Sequence, residues 1–189
     1  MKRRLVLFTS MPMLMCAVPA IAQSPPPAPP ARPPACTSVE HRQFDFWVGR
    51  WDVHRTANGQ LVARSLIERL YGGCAIRENW MPLEGEGGGS LNAYLPGQDM
   101  WRQTWVDSMN SWAVFEGGLA DGAMRLQGVW PGAAGPGSEP LVRISWTREE
   151  AGAVRQFGEI SHDEGGSWFP FFDLTYRPSA GEEAEADDQ

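Results

Sequence analysis

From residue 49 to residue 177 the chain is a succession of short stretches in which apolar and polar positions alternate with a period of two. Val, Ile, Trp, Phe and Thr fill them, and Gly, Asn, Asp and Pro separate them. The pattern predicts strands over 49–56, 61–70, 74–81, 90–95, 100–107, 112–117, 123–130, 141–147, 154–161 and 167–177. Turn chemistry lies between them at Asn58-Gly59, Tyr71-Gly72-Gly73, Pro96-Gly97, Asp121-Gly122 and Glu164-Gly165-Gly166. These connections are too short for parallel crossovers, so consecutive strands pair antiparallel as a meander. A meander has two exposed edges unless it closes on itself. The expected fold is therefore all-β, a roughly ten-stranded antiparallel up-and-down barrel. A two-sheet sandwich is the alternative.

Alternation also assigns faces. Ile76 and Trp80 flank Glu78 on one side of the third strand, opposite Arg77 and Asn79. Trp101, Gln103 and Trp105 share a face of the fifth. Met124, Leu126 and Trp130 oppose Arg125 and Gln127, and Val142, Ile144 and Trp146 oppose Arg143 and Ser145. The ninth strand is ambiguous. The last is apolar on both faces at its start (Trp168, Phe169, Phe171, Phe172), which predicts a bulge or a covering segment.

The ends of the chain have a different composition. Lys2, Arg3 and Arg4 precede a mostly apolar stretch, 5–18, and Ala20-Ile21-Ala22 is a small-x-small cleavage site. Residues 1–22 thus read as a signal peptide, and the protein as periplasmic or secreted. Residues 23–35 form a Pro-rich spacer without large apolar residues. Residues 179–189 form an acidic tail, leaving 36–178 as the folded domain. Of 16 Lys+Arg and 23 Asp+Glu, the signal holds three cations and no acid, so the mature chain carries −10. That balance argues against a nucleic-acid partner. It also argues against an anchor on anionic lipid. No later segment is apolar enough to insert into a membrane, and nothing in the sequence sets the oligomeric state.

Cys36 and Cys74 are the cysteines left after signal cleavage. In an oxidising compartment an even pair suggests a disulfide, with two unrelated thiols as the alternative. The bridge would stabilise the fold by roughly 4 kcal/mol on the chain-entropy model.

Phe44-Asp45-Phe46-Trp47-Val48-Gly49-Arg50-Trp51-Asp52-Val53 resembles the opening of lipocalin-like (calycin) barrels, where a short helical turn leads into a Gly-x-Trp strand. More closely, the chain resembles a family of exported bacterial barrels of unknown function. Gly73 to Trp80, Trp101 to Asp107, Arg143 to Thr147 and Phe172 to Arg177 carry the rest of that resemblance. It implies a barrel floor closed by the Trp51 indole, with a basic residue of the last strand, Arg177, lying across it. Trp51 is then a pocket floor or a core plug. Some related ten-stranded barrels, the nitrobindins, hold haem through a histidine. His54 has the opposite parity to Trp51, His162 lies in a turn and His41 in the N-terminal arm, so no cofactor is expected. No residue cluster has metal-ligand spacing.

Ser161-x-Asp163-x-Gly165-x-x-Trp168 fits the Asp-box seen in sialidases and other β proteins. There the aspartate caps a tight turn and the tryptophan packs beneath it. A single copy reads as a fold device.

Glu78 is the residue with the most chemistry. A carboxyl on an apolar face is either paired, for example with Arg155, or has a raised pKa that suits a ligand anchor or a general base. Gln103 either orients a bound polar group or is a satisfied core amide. Trp80, Trp101, Trp105 and Trp146 either line a flat aromatic pocket or fill the lumen. The glycine run 85–89 lacks the Lys-Ser/Thr of a phosphate loop and reads as a mobile loop at the barrel mouth. Two main functional expectations follow. One is a non-catalytic barrel for a small apolar or aromatic molecule. The other is a barrel enzyme, an isomerase, cyclase or hydrolase, using Glu78 as acid or base. A weaker third is an interaction module using outer tryptophans such as Trp112.

Overall fold

A sheet of ten strands must leave two rows of unpaired backbone groups or close, and this one closes. The computed structural model describes residues 36–179. The predicted signal peptide, the Pro-rich spacer and the tail beyond Ser179 lie outside the described residues. The strands are β1 (Gly49–Arg55), β2 (Leu61–Leu70), β3 (Ala75–Pro82), β4 (Gly88–Leu95) and β5 (Met100–Asp107). They continue with β6 (Trp112–Ala120), β7 (Ala123–Val129), β8 (Leu141–Arg148), β9 (Val154–Ser161) and β10 (Phe169–Pro178). Each pairs antiparallel with the next, and β1 pairs with β10 from Trp51↔Pro178 to Arg55↔Leu174. The sandwich alternative is excluded by that last ladder.

Local chemistry explains the turns. Asp121 and Gly122 link β6 to β7 with φ of 50° and 78°, the left-handed pair that matches hairpin twist. At β10 the register shifts between Pro170 and Phe172, the bulge expected from its apolar start. Beyond it Phe172, Leu174 and Tyr176 face inward. The glycine run requires a correction, because Gly88 and Gly89 belong to β4 rather than to a loop. A Cβ on Gly88 would lie 2.9 Å from the Trp105 ring, and one on Gly89 would meet the Glu78 carbonyl, so only glycine lets these strands approach.

On the outer face, arginines meet acids across the ladders. Arg77 pairs with Glu68, Arg102 with Glu116, Arg143 with Glu159 and Arg155 with Asp173. Such exposed pairs contribute little individually, about 0.2–1 kcal/mol.

Two 3-10 turns, Glu40–Arg42 and Asp45–Trp47, plug the end where β1 begins. Phe44 and Trp47 have no exposed surface and stack at 4.9 Å. Phe44 meets Trp101 and Trp146 edge-on at 5.7 and 5.1 Å. Arg148 lies over Phe46 at 4.7 Å, and Asp45 pairs with Arg42 and Arg69. Cys36 and Cys74 form a disulfide that ties this arm to the β2–β3 turn. The bridge suggests an oxidising, extracytoplasmic environment. No helix among the described residues is long and apolar enough to cross a membrane.

Trp51 is buried at this closed end and donates from Nε1 to the Trp47 carbonyl at 2.9 Å. Arg177 does not cover it. Strand alternation puts Tyr176 inside and Arg177 outside, opposite Asp52. The ring against Trp51 is Tyr176, edge-on at 6.2 Å.

The Asp-box turn forms as its pattern implies. Asp163 Oδ1 accepts from the Ser167 N–H at 2.8 Å and from the Ser161 hydroxyl at 2.7 Å. These bonds, the Ser161 one foremost, hold the Asp163 carboxyl below its ordinary pKa. Trp168 lies under Gly165 and carries Arg143 on its face, 4.2 Å from the ring centroid.

Candidate functional site

In a meander the odd strands run away from the plugged end and the even strands run back. The far ends of β3 and β5 and the near ends of β6 and β10 therefore converge at the opposite, open end. There the lumen holds a cavity of about 270 Å³. Its walls are Trp80, Trp105, Phe115, Trp130, Ile144, Phe172 and Leu174, and its deeper side is Glu78, Gln103, Gln156 and Tyr176. Asp107 and the highly exposed Met109 stand at its rim.

Of the six residues expected to bind a ligand, four line this cavity: Glu78, Trp80, Gln103 and Trp105. Trp101 and Trp146 do not. They share the inward face but sit at the plugged end, where Trp101 Nε1 donates to Gln43 Oε1 at 3.1 Å and Trp146 packs on Phe44 and Trp47. The lumen is thus both filled and open, in different halves. Alternation missed Gln156, Phe172 and Tyr176. The small Gly158 blurs the pattern of β9, and the bulge resets that of β10. Gly158 is needed there, because a Cβ would run into the Phe172 ring that walls the cavity.

Glu78 projects inward from the middle of β3 and is 4% exposed. Ser90 lies directly opposite on β4 and donates to Glu78 Oε2 at 3.0 Å. Ser65 and the Tyr176 hydroxyl approach Oε1 at 3.4 Å each. The Tyr176 hydroxyl also lies 2.8 Å from Gln156 Oε1, and its single proton serves one acceptor at a time. Asn92 donates to Ser90, and Gln103 Nε2 donates to Asn92 Oδ1 at 2.7 Å. The result is a polar chain of Gln103, Asn92, Ser90, Glu78, Tyr176 and Gln156 across one side of the lumen.

The expected partner Arg155 is absent from this chain. It pairs bidentately with Asp173 on the outer face, because inward parity on β9 belongs to Val154 and Gln156. Burial without a counter-charge raises the Glu78 pKa to about 7, against the opposing hydrogen bonds from Ser90, Ser65 and Tyr176. Burial, with the Glu78 carboxyl nearby, pushes the Tyr176 phenol well above its ordinary value, so it stays a proton donor.

The histidines line no part of the cavity. His41 is buried against Tyr94 at the plugged end, His54 faces outward with Nδ1 3.1 Å from the Asp52 carbonyl, and His162 is exposed in the Asp-box turn. Among the described residues no group of three or more His, Cys, Asp or Glu is arranged to hold a metal ion.

Comparison with known proteins gave no match, either to a protein-family model or to a curated protein sequence.

Proposed function

We propose that this chain is an exported, lipocalin-like binding barrel that holds one small apolar or aromatic molecule in the open half of its lumen. The observation that carries the reading is the cavity itself, aromatic-walled with a few convergent polar groups on one side, the usual composition of a small-molecule site. Its size sets a scale. A dry cavity of roughly 150 Å³ accommodates benzene, so about 270 Å³ suits one ring with a short substituent. The −10 charge of the mature chain supports a free small molecule over nucleic acid as the partner.

The test is a native mass spectrum of protein isolated from its host, recorded with tryptophan-fluorescence titrations against small aromatic compounds. A retained mass increment, or quenching that saturates, is expected. A bare polypeptide mass together with a flat titration series removes the reading. The same spectrum tests export, since cleavage after Ala22 sets the mature mass.

A second reading, a barrel enzyme, is favoured by one observation. The Tyr176 hydroxyl lies 3.4 Å from Oε1 of the buried Glu78 carboxyl, whose pKa burial raises to about 7, a pairing that suits a general acid or base. Glu78→Gln separates the two: an enzyme loses turnover while it retains the bound compound, and a carrier shows no turnover in either form.

A further inference from the structure

The inward and outward charges of the barrel are treated differently. Outside, Arg77, Arg102, Arg143 and Arg155 each face an acid. Inside, Glu78 is an acid with no cation opposite it among the described residues. The residues lining the cavity include two carboxyls, Glu78 and Asp107, and no Lys, Arg or His. Buried charges in proteins are paired, and an isolated buried carboxylate is costly. Three hydroxyls soften that cost here without supplying a counter-charge.

Other features of the same cavity point the same way. Gln103 is buried and spends its Nε2 on Asn92 and Ser90, while its Oε1 has no hydrogen-bond partner among the described residues. Asp107 stands at the rim, where its carboxyl accepts from Trp105 Nε1 and from the N–H groups of Met109 and Ser111. The walls present Trp80, Trp105 and Trp130, whose ring faces attract cations.

We propose that the missing counter-charge is the ligand: a single-ring organic monocation bearing a protonated amine, whose N–H groups meet the Glu78 carboxylate and Gln103 Oε1 while its ring lies between tryptophans. This rests on the reading of the cavity as a ligand site and specifies its chemistry. Cation binding draws the Glu78 proton off to solvent, because the ammonium stabilises the carboxylate. The same charge pattern rejects carboxylate ligands, which would add a third acid to a site without a base.

The experiment uses three probes of one shape and different charge: benzylamine, benzyl alcohol and benzoate. Each is titrated by calorimetry at pH 7.5 against the wild-type mature chain and Glu78→Gln. The substitution is nearly isosteric and removes a buried acid, so the variant folds. Benzylamine is expected to bind wild type at least tenfold more tightly than benzyl alcohol, and benzoate at least tenfold more weakly than the alcohol. In Glu78→Gln the amine loses at least tenfold and the alcohol changes less than about twofold.

If the alcohol binds wild type as tightly as the amine, Glu78 acts as a neutral donor and the cation proposal fails while the ligand-site reading stands. An amine affinity unchanged in Glu78→Gln overturns it equally. Failure of all three probes to bind wild type also overturns it, and the native mass spectrum then decides whether the cavity holds anything.

Discussion

The two halves of the lumen are built from the same residue types and behave oppositely. At the plugged end Phe44, Trp47, Trp101 and Trp146 interdigitate with ring centroids 4.9–5.7 Å apart, and all four are buried. At the open end Trp80, Trp105, Trp130 and Phe172 stand around a void of about 270 Å³. The difference is one inserted element. The 3-10 turns carry Phe44 and Trp47 into the first half, and among the described residues no segment enters the second. Aromatic content by itself therefore does not distinguish a core from a pocket; what a ring meets on its far side does.

The comparison makes predictions of decreasing size. Trp47→Ala at the plugged end is expected to cost about 3–5 kcal/mol, whereas Phe172→Ala at the open end, where the ring is only partly buried, costs distinctly less. Urea unfolding of both variants checks this, and equal losses would mean the two halves are packed alike. Cys36→Ser with Cys74→Ser removes the tie on the plug and is expected to cost about 2–4 kcal/mol, with the same change seen on reducing the wild type.

Glu78→Gln is expected to stabilise the apo protein in a pH-dependent way. The Glu78 carboxyl binds its proton up to about pH 7 when folded, against 4.5 as the ordinary value. Between those values the folded state holds the extra proton, so wild-type stability falls as pH rises. The advantage of the variant is thus small near pH 4.5, grows towards pH 7 and then levels off, on the order of 3 kcal/mol. Urea midpoints at pH 4.5, 6 and 8 measure it. A constant difference across that range would show that Glu78 is not the group being desolvated. Last and smallest, Arg177→Ala should change stability by no more than about 0.5 kcal/mol, because its side chain faces solvent rather than Trp51. A loss above 1 kcal/mol in the same urea assay would show that Arg177 does support the floor.

Much of the architecture was legible beforehand. Period-two alternation and Gly/Asp turns located all ten strands, and the shortness of the connections implied the meander. Glu78 was legible as an inward acid because Ile76 and Trp80 flank it at the right parity. Tyr176 was not, since a bulge of one residue at Pro170/Phe172 changes which side chains face in, and bulges leave only a faint compositional trace. Arg177 was misplaced for a related reason: the implied contact with Trp51 needs inward parity at position 177, and Tyr176 has it.

Trp101 and Trp105 show where alternation stops being informative. They share one face of β5 and lie four residues apart, roughly 13 Å along the strand. One is packed into the plug and the other walls the cavity. Chain direction was the available signal, since β5 leaves the plugged end at Trp101 and reaches the open end at Trp105.

What the amino-acid order determined was sidedness and connectivity, because both follow from local rules: side chains alternate along a strand, and short turns join neighbours. What the tertiary structure decided was depth and company: which inward rings meet the plug, which meet empty space, and that Glu78 faces hydroxyls instead of Arg155. Those depend on the stagger of strands around a closed barrel and on a turn inserted from one end. Contacts across the lumen join residues as far apart as Glu78 and Tyr176, and no local pattern encodes them.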